Sequence, residues 1–179
     1  MRNRFWAALV LAAVATQATA AVSSSSPAGF VIRIELAIAA ARAEVHARAL
    51  EIGRWWSDGH TYSGAASNMS LSREPGGCFC ETLKDGGFVR HGSVELSIPP
   101  AILRISTALG PLQELGVSGA LSLQFASAGE KATNLVVTYA VSGHEPKKGL
   151  VELAPLVNTV LQEQFDRLKR YAETGKPTA

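Results

Sequence analysis

The sequence has little cysteine, few aromatic residues and almost no excess of charge of either sign. Its 179 residues include two Cys, and aromatic side chains make up 7% of them. Two Cys are too few for a disulfide-dense small scaffold or a four-Cys zinc site. No GxSxG, P-loop, GxGxxG or HExxH motif is present, so the usual signals of a hydrolase elbow, a nucleotide site or a zinc protease are missing. With 47% hydrophobic residues, the chain has the composition of one globular domain.

The first twenty residues have the pattern of an export signal. Arg2 and Arg4 precede an apolar run over 5–14, and Ala18-Thr19-Ala20 has the small-x-small pattern of a signal-peptidase site. The run is shorter than the about 20 apolar residues that span a membrane, so a cleaved signal peptide is favoured over an anchor. We expect cleavage after Ala20, a periplasmic or secreted location, and a flexible lead-in over 21–27, which contains SSSSP.

Removal of this leader leaves a chain without net charge. Arg2 and Arg4 leave with it, so fifteen basic and fifteen acidic residues remain. Nucleic-acid binding needs a basic surface, and none is visible, so no nucleic-acid partner is expected. No other long apolar stretch exists, so we expect no stable membrane insertion. The sequence leaves the oligomeric state open.

Hydrophobic periodicity separates strands from helices along the mature chain. A period of two predicts strands over 30–38, 69–71, 78–83, 88–98, 102–109, 117–125 and 135–141. Helical spacing predicts a helical insert over 41–56, ended or kinked at Gly53, and a long C-terminal helix of about seven turns that starts near Leu150 and stops at Gly175. The polar face of that helix offers the pairs Glu163/Arg167 and Asp166/Arg170 at i,i+4. Segregated helices beside a run of antiparallel strands indicate an α+β domain over 28–174, with a tail over 175–179.

Several local features occur in a characteristic order within this domain. They are GRWWS over 53–57, Gly76-Gly77 before the strand that carries Glu81, PPAILR over 99–104, LGPLQ over 109–113, and Gln164-Phe165-x-x-Leu168-Lys169 in the last helix. With the order of elements, they resemble the helix-grip fold of the SRPBCC superfamily, which includes START, Bet v 1-like, Hsp90-activator-like and polyketide cyclase-like proteins. The stretch over 109–113 is similar to an exported bacterial subgroup.

The resemblance implies a curved seven-stranded sheet wrapped around the long helix, with a cavity between them. Most members bind apolar or amphipathic small molecules there, a minority are enzymes, and no cofactor is expected. The predicted cavity wall comprises Ile34, Leu36, Trp56, Leu96, Ile105, Leu121, Leu123, Val137, Tyr139, Val157, Leu161 and Phe165. The side chains predicted to orient a ligand are Glu81, Arg90 or His91, Arg104 and Tyr139.

Glu81 and His91 are the candidates for chemistry. They lie on strands joined by the hairpin over 84–87, so they are predicted cross-strand neighbours. Such a pair fits a hydrogen bond at a cavity mouth or on the surface, or an acid/base pair of a cyclase- or hydratase-type enzyme. The resemblance also allows a co-chaperone, although export would separate it from a cytosolic chaperone.

Cys78 and Cys80 allow three interpretations. Alternate residues of a strand share a face but lie too far apart for a relaxed disulfide, so pairing requires a bulge, which Gly76-Gly77 makes possible. An oxidising compartment favours that disulfide. The other two interpretations are a soft metal site completed by His91, and two small buried side chains.

Overall fold

Alternating apolar and polar residues along most of the chain build one antiparallel sheet that is covered by helices on one face. The computed structural model describes residues 19–144 and 149–178. Its strands are β1 (Thr19–Ser26), β2 (Gly29–Ile38), β3 (Met69–Leu71), β4 (Cys78–Thr82), β5 (Phe88–Ile98), β6 (Ile102–Thr107), β7 (Ser118–Gly129) and β8 (Ala132–Ser142). Its helices are α1 (Arg42–Leu50), α2 (Ile52–Trp55) and α3 (Ala154–Thr174). The predicted α+β class is confirmed.

The strand order of the sheet is β1-β2-β8-β7-β6-β5-β4-β3, and all neighbours are antiparallel. Strand β2 pairs with β8 rather than with β3, and Ile34 lies opposite Val137. The chain between β2 and β3 therefore has to pass from one side of the sheet to the other. That passage consists of α1, α2 and the loop over 57–68, and it brings this loop beside β4 and α3.

The eight strands exceed the predicted number by one, because residues before the expected first strand also pair. Residues 19–26 form edge strand β1 against β2, with Ala20 opposite Ile34 and Ser26 opposite Gly29. The structure thus differs from the expected flexible lead-in over 21–27. Serine-rich sequence carries little strand preference of its own, and the backbone hydrogen bonds of the otherwise unpaired β2 edge order it.

The helical insert is divided at Glu51 rather than at Gly53. Glu51 has φ −83° and ψ 49°, outside the helical region, and it separates α1 from α2. Gly53 instead lies inside α2, where a Cβ atom would come within 2.8 Å of the Met69 oxygen and 2.9 Å of the Ala66 oxygen. The absence of a side chain at Gly53 therefore allows α2 to pack closely on the segment that enters β3.

Helix α3 is shorter than the sequence predicts. Residues Leu150–Glu152 form a separate 3₁₀ turn, and α3 begins at Ala154 with Pro155 in its first turn. Its 21 residues make about six turns. It ends where predicted, because Gly175 adopts a left-handed conformation with φ 78° and its N–H donates to the Tyr171 carbonyl.

The predicted signal peptide lies outside the described residues, apart from Thr19 and Ala20, which begin β1. Within 19–144 and 149–178, no helix is both long enough and apolar enough to cross a membrane.

Candidate functional site

The space between the sheet and α3 is filled at one end and open at the other. At the filled end the rings of Trp55, Phe79 and Phe165 leave a gap of only about 10 Å³. At the open end a cavity of about 410 Å³ adjoins the first half of α3. The cavity is lined by Trp56, His60, Thr61, Tyr62, Met69, His91, Leu109, Gly110, Pro111, Leu112, Leu153, Leu156, Val157, Val160 and Leu161.

Tyr139 sets one edge of this cavity without lining it. Its hydroxyl donates to the Thr107 carbonyl at 3.2 Å and accepts the Leu109 N–H at 3.0 Å, at the point where β6 gives way to the turn over 109–113. Burial raises the pKa of Tyr139 to about 12, so the hydroxyl stays protonated. Tyr139 therefore positions the cavity wall formed by Leu109–Leu112.

The structure brings a minority of the predicted wall residues into the cavity. Trp56, Val157 and Leu161 line it. The other buried members are packed in the core beside the filled end or under β2 and β8: Ile34, Leu36, Ile105, Leu121, Leu123, Val137, Tyr139 and Phe165. They face the interior as expected, but aromatic rings occupy the space before them. Trp55 lies 5.9 Å from Phe165 and 5.5 Å from Trp56, measured between ring centroids.

Leu96 and Arg104 lie on the other face of the sheet. Val94 pairs with Ile105 and Leu96 pairs with Arg104, so Glu95 is an extra residue in β5. This bulge turns Leu96 away from the inner face, whereas Arg104 faces outward by the ordinary alternation of β6, between the buried Leu103 and Ile105. Leu96 is half-buried, and the exposed Arg104 donates to the Ser122 hydroxyl at 3.0 Å, away from the cavity.

The wall residues that the sequence did not single out come mainly from irregular segments. His60, Thr61 and Tyr62 belong to the loop over 57–68, and Leu109–Leu112 follow β6. Such segments have no periodicity, so their inward side cannot be identified from spacing. The helical residues Leu153, Leu156 and Val160 do carry a signal, because they extend the apolar stripe of α3 by steps of three and four.

Glu81 and His91 are hydrogen-bonded neighbours, as predicted. His91 Nε2 lies 3.0 Å from Glu81 Oε2, and both side chains are buried. Phe79 pairs with Gly92 and Cys80 with Arg90, so His91 is the extra residue of a second bulge in β5. Because Val89 lies opposite Glu81, the imidazole of His91, two residues further along β5, faces the same inner side and lines the cavity with Glu81 behind it. Arg90, the predicted alternative, is exposed.

Backbone amides of the neighbouring loop hold the Glu81 carboxyl group. The Tyr62 N–H donates to Oε2 at 3.2 Å and the Ser63 N–H donates to Oε1. Burial alone would raise the pKa of Glu81, but the hydrogen bonds from Ser63, Tyr62 and His91 together lower it. Glu81 is therefore a carboxylate at neutral pH, and it ties the cavity loop to β4.

His91 is held between two aromatic rings. Its ring centroid lies 5.0 Å from that of Phe79 and 6.0 Å from that of Tyr62. Burial lowers the pKa of His91, and the hydrogen bond and charge of Glu81 only partly offset this shift. The imidazole is thus neutral at neutral pH, in a fixed orientation at the cavity wall.

The polar face of α3 holds the cavity loop instead of forming the predicted i,i+4 pairs. Glu163 contacts His60 Nε2 at 3.2 Å, and Arg167 donates to the Trp55 and Trp56 carbonyls. Gln164, wholly buried, accepts the Ser57 N–H at 2.8 Å. Asp166 accepts from Gln162 and Arg170 donates to the Pro177 carbonyl, so neither predicted pair forms. Contacts with another segment have replaced helix-surface pairs, which are individually weak.

Cys78 and Cys80 are joined by a disulfide, with their Cα atoms 5.3 Å apart. The sequence predicts that this disulfide requires a bulge, and the pairing of β4 with β5 does shift between Phe79 and Cys80. The extra residue of this bulge, however, lies in β5 and not beside Gly76-Gly77. A disulfide leaves no thiolate for the metal site considered above, and the described residues contain no cluster of three or more His, Cys, Asp or Glu side chains suited to a metal ion.

Several solved structures share the architecture of this chain over most of its length. CalU16 from Micromonospora echinospora has a TM-score of 0.57 at 17% identity, over 92% of this chain and 87% of that one. The Aha1 dimer from Colwellia psychrerythraea gives 0.56 at 19% identity, over 82% and 98%. A norcoclaurine synthase from Thalictrum, in complex with a transition-state analogue, gives 0.51 at 13% identity, over 87% and 97%.

The chain has the helix-grip fold of SRPBCC and Bet v 1-like proteins. The sequence itself matches no family model and no curated protein. At these identities the helix-grip fold is the whole of the similarity, and it does not assign an activity. The chemistry available to this helix-grip domain is that of its own cavity, which has apolar walls and one buried, oriented histidine.

Proposed function

We propose that this protein binds a hydrophobic or amphipathic small molecule in the cavity between the sheet and α3. The observation that carries the proposal is the cavity of about 410 Å³, whose walls are mainly aliphatic and aromatic. That volume lies within the range of known small-molecule sites. The fold supports the same function, since solved structures of this architecture include an enzyme with a bound transition-state analogue.

Native mass spectrometry of the purified protein tests the proposal. We expect an additional small-molecule mass on the wild-type protein, released when the protein is denatured. Val160→Trp fills the cavity and should remove this mass. Thr159→Trp is the matched control, because Thr159 is an exposed neighbour on α3 outside the cavity, and it should retain the mass. Equal masses on both variants would contradict binding in this cavity.

We also propose that the protein is exported and cleaved near Ala20. The positively charged start, the apolar run and the Ala18-Thr19-Ala20 pattern support it, and a Cys78–Cys80 disulfide suits an oxidising compartment. Intact mass measurement of the protein from a periplasmic or culture fraction should give a chain that begins at Ala21. A full-length chain that remains with the spheroplasts would contradict the proposal.

A second candidate function is acid/base catalysis of the cyclase or hydratase type. The specific observation is the 3.0 Å contact between Glu81 and His91 at the cavity wall, since two ionisable groups within hydrogen-bond reach are what such a reaction needs. The His91 imidazole would act as acid or base on the ligand, and Glu81 would orient it.

The molecule recovered from the protein distinguishes catalysis from binding. Incubation with wild-type protein should convert it into a product with one water gained or lost, or into a cyclised isomer of equal mass and different chromatographic retention, whereas incubation with His91→Phe should leave it unchanged. A molecule that both proteins release unaltered would contradict catalysis and leave the binding function in place.

A further inference from the structure

The described part of the cavity lining contains one buried polar side chain other than the indole of Trp56. Among the described lining residues, the groups able to hydrogen bond include His60, Thr61 and Tyr62, which are exposed or half-buried, and His91, which is only 5% exposed. The indole Nε1 of Trp56 already donates to the His60 carbonyl at 3.0 Å. A ligand that reaches the buried wall therefore meets hydrocarbon and the edge of His91.

The hydrogen bonds of Glu81 determine which nitrogen of His91 carries the proton. A carboxylate can only accept, and Glu81 accepts from the Tyr62 and Ser63 amides and from His91 Nε2. Nε2 must therefore be the protonated nitrogen. In the neutral ring that burial favours, Nδ1 is left with a lone pair and acts only as an acceptor.

Nδ1 is accessible to a ligand. It has no hydrogen-bond partner within 19–144 and 149–178, and His91 contributes to the cavity lining. The wholly buried side-chain atoms without a partner in these residues belong to His46, Asn158, Gln162 and Gln164, and Nδ1 of His91 is not one of them. The unused acceptor thus borders the cavity.

The charge around the cavity disfavours anions. None of the described lining residues is Lys or Arg, and the nearest charge behind His91 is the carboxylate of Glu81. A ligand carboxylate or phosphate at Nδ1 would meet a lone pair instead of a donor, with a second negative charge close by. Such a group would lose its hydration without gaining a partner.

We propose that the cavity selects uncharged amphipathic molecules that bear a hydroxyl group, an alcohol or a phenol, whose O–H donates to Nδ1 of His91, and that it discriminates against anions of the same shape. This inference rests on the proposed binding function and names its ligand class. The hydrocarbon part of the ligand contacts Val157, Val160 and Leu161, and the hydroxyl group sets its orientation.

Three probes with one ring system test the inference: 2-naphthol, 2-methoxynaphthalene and 2-naphthoate. Their affinities are measured by titration at neutral pH, using ligand fluorescence or calorimetry. In wild-type protein we expect 2-naphthol to bind about two- to tenfold more tightly than 2-methoxynaphthalene, the value of one neutral hydrogen bond. The carboxylate probe should bind more weakly than either.

His91→Phe identifies the residue responsible. Phenylalanine retains a ring between Phe79 and Tyr62 but has no acceptor, so the preference for 2-naphthol over 2-methoxynaphthalene should be lost. The change in this affinity ratio between wild type and His91→Phe cancels the contribution of the extra methyl group and any general loosening of the cavity. Should His91→Phe fail to fold, the wild-type preferences alone still decide the matter.

The outcomes separate the two proposals. If no probe binds wild-type protein, or if Val160→Trp binds all three as wild-type does, the binding function itself is overturned. If the probes bind in the cavity but the hydroxyl probe has no advantage, or 2-naphthoate binds best, the hydroxyl inference is overturned and binding stands. An advantage that survives in His91→Phe also overturns it.

Discussion

The two halves of α3 have the same kind of apolar stripe but different surroundings. In the C-terminal half, Phe165 and Leu168 are at most 1% exposed and pack into the core. In the N-terminal half, Leu156 is 66% exposed, and Val157 and Val160 are half-buried beside the cavity. A helical stripe therefore shows which face is turned inward, but not whether the facing space is filled.

The difference comes from what lies opposite each half. Opposite Phe165 are rings supplied by α2 and β4, and they interdigitate at close range. The loop that contains His60–Tyr62 and the turn that contains Leu109–Leu112 lie opposite Val157 and Val160. Neither segment fills the space between itself and the helix. In this domain the helix and strand rings around Phe165 close-pack, whereas the two irregular segments opposite Val157 and Val160 leave room for a ligand.

The largest expected effect is the contrast between Leu168→Ala and Leu156→Ala, the same substitution on one helix. Leu168 is fully buried, so its loss should reduce the free energy of unfolding by about 2–5 kcal/mol. Leu156 is mostly exposed, and its loss should change that free energy by less than about 0.5 kcal/mol. Urea unfolding followed by circular dichroism measures both. Similar losses would mean that the two halves are equally packed.

Adding atoms should give the same contrast in tolerance between the two halves of α3. Ala172→Leu enlarges a side chain in the filled half and should destabilise the protein by about 1–3 kcal/mol through overpacking. Val160→Leu extends into the cavity and should have little effect on stability. Thermal unfolding of the two variants beside wild type checks this. A destabilised Val160→Leu together with an unaffected Ala172→Leu would contradict the assignment of filled and open ends.

Acid should destabilise the protein partly through the cavity histidine. The pKa of His91 is lower in the folded protein than its ordinary value of 6.5, so the unfolded chain binds more protons below that pH and stability falls as the pH falls. The free energy of unfolding of His91→Phe should therefore fall less than that of wild type between pH 6.5 and about pH 5.5. The difference should be at most about 1.4 kcal/mol. Urea unfolding at a series of pH values measures the difference.

Two other groups titrate in the same direction and are controlled in this experiment. Burial, with a smaller contribution from Arg73, also lowers the pKa of His46, which packs on Phe125 in the core. His46 is present in both proteins, so its contribution cancels in the comparison. The lowered pKa of Glu81 contributes stability that is lost below its ordinary value of 4.5, outside this window. Parallel pH profiles for wild type and His91→Phe would show that folding does not lower the pKa of His91, and would contradict the prediction.

The smallest expected effect compares two glutamates of α3. Glu163 forms a partly exposed contact with His60, so Glu163→Ala should change the free energy of unfolding by less than about 1 kcal/mol. Glu173 accepts the Ala39 N–H at 2.9 Å and bonds Lys169, so Glu173→Ala should cost about 1 kcal/mol or more. Urea midpoints give both values. The reverse order would indicate that the cavity loop depends on Glu163 more than its exposure suggests.

Local sequence spacing predicted the Glu81–His91 contact because a single short hairpin joins their strands. It did not predict the cavity wall: a bulge at Glu95 turns Leu96 to the other face, and Arg104 lies on that face by the ordinary alternation of β6, next to the buried Ile105. Bulges leave no reliable mark in the pattern of apolar residues. The positions of the loop residues His60 and Tyr62 could not be predicted for another reason, because that loop is held by hydrogen bonds to Glu163 and Glu81, which are distant in sequence.

The sequence alone determined the α+β class, most of the strands, the end of α3 at Gly175 and the pairing of His91 with Glu81. These features depend on periodicity, turn residues and short-range geometry, which are written in consecutive residues. Only the tertiary structure decided that most of the predicted wall is solid core, that the cavity lies at the other end of α3, and that residues before β2 add an edge strand. Those outcomes depend on the volumes of side chains brought together from distant segments, and no local pattern encodes how well such volumes fill space.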